Sequence, residues 1–194
     1  MRGLWAASFC TALWVAASVP TPSQAASPLR DTGGGLHDPS EWLKAPAAVL
    51  FFVTTDCPIA NSYVPEMNRL HERFAARGVR FFGVQADVSI AGPEVAAHAR
   101  EFHYGFPMLL DPLQELVILA GATVTPQAAV IVHGKVVYLG RIDDRVADFG
   151  KQRYQATRHD LADALEAVLA GRPVEHPTTR AIGCAINRVQ ASMR

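Results

Sequence analysis

Apolar residues in this chain form two kinds of pattern, continuous runs and stripes of helical spacing. Continuous runs cover Ala47 to Thr54 and Val79 to Ala86, and such runs are typical of strands buried on both faces of a sheet. Between them, from Cys57 to about Arg77, apolar residues recur at three- and four-residue spacing, which predicts an amphipathic helix. A strand, a helix and a second strand in this order predict a parallel strand pair.

Downstream, the same patterns predict three further helices and a β-hairpin. The predicted segments are a helix from Gly92 to near Gly105, a short extended piece over 106–111, a short helix over 112–120, two strands over 128–132 and 135–139, a polar loop up to residue 156 and a final helix over 160–170. A parallel pair joined to an antiparallel hairpin predicts an α/β fold, with a mixed central sheet and helices on both faces.

The N-terminus carries an apolar run, from Leu4 to Val19, that follows Arg2 and precedes small residues around Ala25. This pattern predicts a signal peptide over residues 1–25 and therefore export, to the periplasm or out of the cell. An uncleaved membrane anchor is the alternative, although the run is at the short end of the roughly 20 residues that span a bilayer. Once the peptide is removed, we expect no stable membrane insertion.

The rest of the chain has the length of one domain. Pro28 and three consecutive glycines predict a flexible linker over 26–37, because neither residue type holds regular structure at low cost. A single domain is predicted over 38–171, which is long enough to bury a hydrophobic core. The remaining residues, 172–194, form a tail that carries Cys184.

Charge and cysteine content narrow the classes of function. The chain has 18 Lys and Arg against 18 Asp and Glu, without a basic patch, which argues against nucleic acid as a partner. Of the three cysteines, Cys10 lies in the predicted signal peptide, which leaves Cys57 and Cys184 for the exported protein. In an oxidising compartment two cysteines either pair or carry out redox chemistry.

Cys57 stands between the first predicted strand and the first long helix. Unpaired N–H groups and the helix dipole place partial positive charge at a helix N-terminus, which favours a thiolate over a thiol. The adjacent carboxylate of Asp56 opposes this effect. The alternative is that Cys57 is a small buried apolar residue, as most free cysteines are.

Four further residues stand at informative distances from Cys57 and from one another. Pro65 lies eight positions after Cys57, Thr125 and Pro126 precede the predicted hairpin, and Gly134 lies eight positions after Pro126. With these residues the chain resembles the thioredoxin-like fold and, within it, the secreted redoxins of the AhpC/TSA (peroxiredoxin-like) and TlpA-like kind. The resemblance implies that Pro126 follows a cis peptide bond and lies against the active-site cysteine, and that Thr125 and Pro126 bind the substrate.

The sequence also departs from these families. Thioredoxins carry a second cysteine three positions after the first, where this chain has Ala60. Peroxiredoxins carry Pro-x-x-x-Thr-x-x-Cys; Thr54 and Cys57 fit this motif, but Leu50 replaces its proline. In peroxiredoxins the threonine hydroxyl and a distant arginine hold the peroxide. The resemblance therefore makes Thr54 a candidate catalytic residue, and it leaves Arg141 and Arg145 as candidate substrate-binding residues.

No metal or other cofactor is predicted. Copper chaperones of this fold carry Cys-x-x-x-Cys, and Asn61 fills the second place here. Three histidines of the predicted helices, His98 among them, are expected on solvated faces, and no histidine has the spacing of a zinc site.

The resulting hypothesis is an exported thiol-dependent oxidoreductase. Cys57 would attack a peroxide or a protein disulfide, and Cys184 would resolve the oxidised product, because the thiolate is the attacking species in such exchange. Two alternatives stay open: a non-catalytic binding module for a metal or a partner protein, and a domain stapled by a structural Cys57–Cys184 disulfide. The choice among these three hypotheses depends on the distance between the two sulfur atoms, which the sequence does not reveal.

Overall fold

The computed structural model describes residues 27–189, so the predicted signal peptide lies outside the described residues. The helices and strands in chain order are β1 (Leu29–Arg30), β2 (Leu36–His37), a 3₁₀ helix (Pro39–Lys44), β3 (Ala48–Val53), α1 (Pro58–Ala75), β4 (Arg80–Gln85), α2 (Gly92–Glu101), β5 (Met108–Leu110), α3 (Glu115–Ala120), β6 (Val124–Thr125), β7 (Gln127–Val132), β8 (Lys135–Gly140), β9 (Val146–Asp148), β10 (Lys151–Gln152), α4 (Asp160–Leu169) and β11 (Cys184–Ala185).

A five-stranded mixed sheet forms the centre of the fold, in the order β5-β4-β3-β7-β8. The three strands β3, β4 and β5 run parallel, and the β7–β8 hairpin continues the sheet antiparallel to β3. Every residue of β3 is buried, as its continuous apolar run predicts. The predicted α/β fold with a mixed sheet is confirmed.

Successive side chains of β3 point to opposite faces of the sheet and divide the core in two. Phe51 packs on the face covered by α1, α2 and α4, where Leu165 of α4 is also fully buried. Phe52 packs on the other face, against Trp42 of the 3₁₀ helix and Leu116 of α3. Burial of one such side chain stabilises the fold by about 1.5–3 kcal/mol. The prediction of helices on both faces is confirmed.

The segment predicted as a flexible linker contains a small β-hairpin, in which β1 pairs with β2. Leu29 is buried in the core, and the Asp31 carboxylate accepts hydrogen bonds from the amides of Gly33 and Gly35, both at 2.8 Å. Gly34 adopts a positive φ of 89°, which glycine tolerates. The three glycines therefore form a turn, and composition alone does not separate a turn from a linker.

The predicted polar loop also contains paired strands, β9 and β10. The buried carboxylate of Asp144 fixes the end of this loop, because it accepts hydrogen bonds from the amide and hydroxyl of Thr157, both at 2.6 Å, and from the amide of Arg158 at 2.9 Å. Burial raises the pKa of Asp144, but these bonds outweigh it, and the pKa lies below its ordinary value.

Within the described residues, no helix combines the length and apolar character that a membrane span needs.

Candidate functional site

Cys57 lies at the carboxyl end of the central strand, one residue before α1. The chain leaves β3 through a turn in which the Cys57 amide donates to the carbonyl of Thr54 at 3.3 Å. Cys57 has an extended backbone (φ −90°, ψ 105°) and Pro58 occupies the first helical position, where its fixed φ suits helix initiation. The cysteine is therefore the N-cap of α1, as the sequence predicts.

The loop before β7 lies directly against this cysteine. The Thr125–Pro126 peptide bond is cis, as the resemblance implies. The Cys57 thiol donates a hydrogen bond to the carbonyl oxygen of Thr125, with a sulfur–oxygen distance of 3.0 Å. Cys57 is completely buried, and Thr125 is only 1% exposed. Both residues thus lie beneath the protein surface.

The C-terminal tail brings the second cysteine to the same place. The strand β11 pairs antiparallel with β6, so that Cys184 lies opposite Thr125 and Ala185 opposite Val124. Cys184 packs against the core cluster that contains Cys57, and both cysteines are free thiols in this structure. The predicted site residues Cys57, Thr125 and Cys184 are therefore in contact.

Gly183 makes this approach possible. A Cβ atom at position 183 would lie 2.0 Å from the carbonyl oxygen of Thr125 and 2.6 Å from its carbonyl carbon. No side chain fits at these distances, since both atoms belong to the backbone of the cis-proline loop. Glycine is required here by close packing of two backbones.

The surroundings of the two thiols shift their pKa values in opposite directions. Burial raises the pKa of Cys57, but hydrogen bonds from the Cys184 thiol, the Ala60 amide, the Thr125 hydroxyl and the Cys184 amide outweigh it and hold the pKa below its ordinary value. Burial, its hydrogen bond to Cys57 and the charge there raise the pKa of Cys184. The two pKa values therefore move apart: Cys57 ionises first as the pH rises, and Cys184 keeps its proton longer.

Thr125 interacts with Cys57 in both protonation states. Its carbonyl oxygen accepts the thiol proton, and its hydroxyl, which has no hydrogen-bond partner of its own among the described nitrogen and oxygen atoms, stabilises the thiolate. The hydroxyl therefore gains a hydrogen-bond partner when Cys57 ionises.

We expect the Thr125→Val variant to raise the pKa of Cys57, because loss of a hydrogen bond to a charged sulfur costs the thiolate about 1–2 kcal/mol. Thiolate absorbance in the ultraviolet, followed against pH in the reduced protein, should show its first ionisation step at higher pH than in the wild type. The matched control is Thr123→Val, at an exposed position two residues away. An unchanged first step would show that the Thr125 hydroxyl does not face the thiolate.

Thr54 is close to the pair but its hydroxyl is engaged. Thr54 Oγ1 donates to Asp56 Oδ1 at 2.8 Å, and Gln85 Nε2 donates to Thr54 Oγ1 at 3.5 Å. Thr54 and Asp56 also line a cavity of about 110 Å³ together with Ala86, Asp87, Thr125 and the tail residues Cys184 to Asn187. Of the two cysteines, Cys184 lines this cavity and Cys57 does not.

Arg141 lies outside this group of residues. Its guanidinium Nε donates to Asp160 Oδ2 at 2.7 Å, and the Asp160 side chain is 2% exposed. Among residues 27–189, no hydrogen bond joins Arg141 to Cys57, Thr54 or Thr125. The arginine that the peroxiredoxin resemblance suggested for substrate binding therefore pairs with the first residue of α4 instead.

Sequence reasoning missed two residues behind the site. The prediction of a solvated His98 is wrong: His98 is buried and hydrogen-bonds Asn61 Oδ1 at 3.0 Å, while Asn61 Nδ2 donates to the carbonyl of Thr55. Burial lowers the pKa of His98, so this histidine is neutral and supports the turn before Cys57. Burial and the charge on Cys57 raise the pKa of Tyr104, and no motif marks this tyrosine in the sequence.

A cluster away from the cysteines contains three residue types that bind metals. Ligand atoms of Glu66, Asp143 and His159 lie within 4.8 Å of one another. Arg69 already pairs with Glu66, and Asp143 Oδ1 accepts the hydroxyl proton of Tyr63 at 2.6 Å. The neighbouring positive charge opposes cation binding.

Comparisons with known proteins bear on the fold that carries this site. A model of the AhpC/TSA family matches residues 22–139. No curated protein matches the sequence. The family match covers the Cys57 turn and the cis-proline loop, and it ends before the tail that supplies Cys184.

Solved structures with the same fold include two bacterial proteins of similar length. A hypothetical protein from Sinorhizobium meliloti 1021 is 27% identical, with a TM-score of 0.74, and the alignment covers 90% of this chain and 98% of that one. An uncharacterized conserved protein from Geobacillus kaustophilus is 26% identical, with a TM-score of 0.71 and coverages of 90% and 94%. A secreted Mycobacterium tuberculosis disulfide oxidoreductase, 16% identical with a TM-score of 0.50 and coverages of 74% and 94%, shares the fold.

Proposed function

The chain belongs to the AhpC/TSA family, and from this we propose that it is a thiol-dependent oxidoreductase whose working unit is the Cys57–Cys184 pair. The observation that carries the proposal is the strand pairing that sets Cys184 opposite Thr125, the residue whose carbonyl oxygen accepts the Cys57 thiol. The local partner of a thioredoxin site is missing, because Ala60 stands in its place. The tail supplies the second thiol instead.

Cys57 is the nucleophile of the internal step. Its thiolate forms the S–S bond to Cys184 when the pair is oxidised, and it is the better leaving group when the pair is reduced, because a thiolate of lower pKa leaves faster. One oxidation removes two electrons from the pair and releases the protons that its thiols still carry. Neither step needs a cofactor.

A disulfide suits this site better than a peroxide as the oxidant. Peroxide binding as in peroxiredoxins would use the hydroxyl of Thr54 and a free arginine. The Thr54 hydroxyl donates to Asp56, and Arg141 is held by Asp160. The partner we propose is therefore a thiol or disulfide compound, with peroxide as the second oxidant to be tested.

We place this activity outside the cytoplasm. The support is the signal-peptide pattern of residues 1–25 and the secreted Mycobacterium tuberculosis disulfide oxidoreductase that shares the fold. Exported proteins work where disulfides persist.

The test is a redox titration of the purified chain, from residue 26 onward, in glutathione buffers. Alkylation and mass spectrometry count free thiols at each poise, and turnover is measured with dithiothreitol as reductant and either a small disulfide or hydrogen peroxide as oxidant. We expect a reversible Cys57–Cys184 couple with a potential above about −300 mV. Cys57→Ser and Cys184→Ser should each abolish turnover, and Thr123→Val serves as the control.

Two other results would contradict the proposal, each in favour of a different alternative. A disulfide with a potential below about −300 mV and no turnover would identify a structural bridge. Two thiols that never pair, together with no reaction with either oxidant, would identify a non-catalytic binding module.

A further inference from the structure

The two sulfur atoms of the pair differ sharply in their access to solvent. Cys57 is completely buried, whereas Cys184 is partly exposed. The cavity of about 110 Å³ beside the pair is lined by Cys184 and by Asp56, Asp87 and Thr125, but not by Cys57. A reagent that enters this cavity therefore meets Cys184 first.

The tail that covers Cys57 is fastened on both sides of Cys184. Upstream, the Leu139 amide donates to the carbonyl of Pro177 at 2.9 Å, and the Thr179 amide donates to the carbonyl of Leu139 at 3.2 Å. The Thr179 hydroxyl also hydrogen-bonds the hydroxyl of Tyr138 at 2.7 Å. The segment before Cys184 is thus attached to β8.

Downstream, a buried side chain holds the other end. Gln114 Nε2 donates to the carbonyl of Asn187 at 2.8 Å, and Gln114 Oε1 accepts from the amide of Val189 at 2.8 Å. The Ile186 amide donates to the carbonyl of Thr123 at 2.9 Å. With both ends attached, uncovering Cys57 requires several hydrogen bonds to break together, whereas Cys184 is reached without any such change.

We propose that Cys184, and not the helix-capping Cys57, is the sulfur through which the pair exchanges with disulfides and thiols from outside. This inference rests on the proposed function and adds the order of its steps. The assignment reverses the expectation from the resemblance, in which the cysteine at the start of the helix meets the substrate.

The oxidising direction consists of two balanced exchanges. The reactive form has its thiolate on Cys57, beside which Cys184 packs. As Cys184 Sγ attacks one sulfur of an external disulfide, its proton passes to this thiolate; the external S–S bond breaks, one half leaves as a thiolate, and the other half forms a mixed disulfide with Cys184. Cys57 then gives its proton to the departing thiolate and attacks Cys184 Sγ, which releases the second half as a thiolate. Two electrons pass from the pair to the external disulfide.

The reducing direction passes through the same mixed disulfide. An external thiolate attacks Cys184 Sγ of the Cys57–Cys184 bond, and Cys57 leaves as the stabilised thiolate. A second external thiol then releases Cys184. Because Asp56 and Asp87 line the cavity, neutral or cationic compounds are favoured over anionic ones.

The test uses dithiodipyridine, a neutral chromogenic disulfide, under anaerobic conditions on the reduced chain from residue 26 onward, which lacks Cys10, so that each variant keeps a single cysteine. The rates are compared at about pH 9, where the buffer takes the proton that the Cys57 thiolate takes in the wild type. Cys57→Ser, which retains Cys184 and lacks the Cys57 charge that raises the pKa of Cys184, should release one equivalent of thiopyridone at least about tenfold faster than Cys184→Ser, which retains the buried Cys57. In denaturant the two variants should react at similar rates. Adding Gly183→Ala to Cys184→Ser should uncover Cys57 and raise its rate to within about threefold of its denatured rate.

Equal rates in the two folded variants, a faster Cys184→Ser variant or an unreactive Cys57→Ser variant would overturn the assignment. None of these results contradicts the proposed function, because the wild-type protein would still release two equivalents of thiopyridone and form the internal disulfide. Conversely, a wild type that forms no internal disulfide would contradict the proposed function, whichever variant reacts faster.

Discussion

The Gly183→Ala variant is expected to form the Cys57–Cys184 disulfide at least about 100-fold more slowly than the wild type. The added Cβ would lie 2.0 Å from the carbonyl oxygen of Thr125, so β11 has to move away from β6. The movement separates Cys184 from Cys57 and removes the proximity on which intramolecular exchange depends. It also withdraws the thiol and amide that hydrogen-bond the Cys57 sulfur.

Stopped-flow mixing of the reduced protein with a limiting amount of dithiodipyridine measures this rate, as the second equivalent of thiopyridone appears. Ala185→Ser is the matched control, because Ala185 is an exposed neighbour in the same strand. Circular dichroism and the melting temperature establish that the domain stays folded. A Gly183→Ala variant that closes its disulfide at the wild-type rate would contradict the tight packing of the tail on the cis-proline loop.

The Arg141→Met variant is expected to lose about 3 kcal/mol of unfolding free energy while the chemistry of Cys57 stays unchanged. The Asp160 carboxylate, 2% exposed, pairs with Arg141 at 2.7 Å, and Arg158 approaches only to 3.7 Å. Removal of Arg141 therefore leaves a buried charge with one weak partner. The effect on the folding equilibrium is roughly a factor of 100.

Urea unfolding measures the loss of stability, and the dithiodipyridine reaction and the peroxide reaction measure activity in the same samples. Arg172→Met, at an exposed position shortly after α4, is the control and should change neither. We therefore compare the loss of unfolding free energy with the rates of the dithiodipyridine and peroxide reactions, which we expect to stay at their wild-type values. If Arg141→Met instead retains its stability and loses reaction with peroxide, then Arg141 binds the oxidant, as in the peroxiredoxin resemblance.

The parts of the site that follow from local pattern were predictable from the sequence. The buried run of β3, the helix that starts after Cys57 and the proline before the hairpin each depend on neighbours in the chain. Their patterns therefore place Cys57 and Pro126 correctly. The cis bond at Pro126 came from the resemblance rather than from the pattern, because most X–Pro bonds are trans.

The partners of these residues were not predictable, because they come from distant parts of the chain. The strand β11 has only two residues, too few for any alternation to reveal it. Arg141 could equally have faced the substrate, since nothing in the sequence shows that Asp160 is buried beside it. His98 has the spacing of an exposed helix residue, and its burial depends on Asn61, which lies on another helix.

The position of the second sulfur has a consequence for the newly made chain. Cys57 precedes most of the sheet, whereas Cys184 follows all of it, and the two meet only after β6 has formed a partner edge for β11. An incompletely folded molecule therefore holds a solitary thiol that is open to mispairing with other proteins. Under the proposed function, formation of the Cys57–Cys184 bridge would report that the whole domain and its tail have assembled.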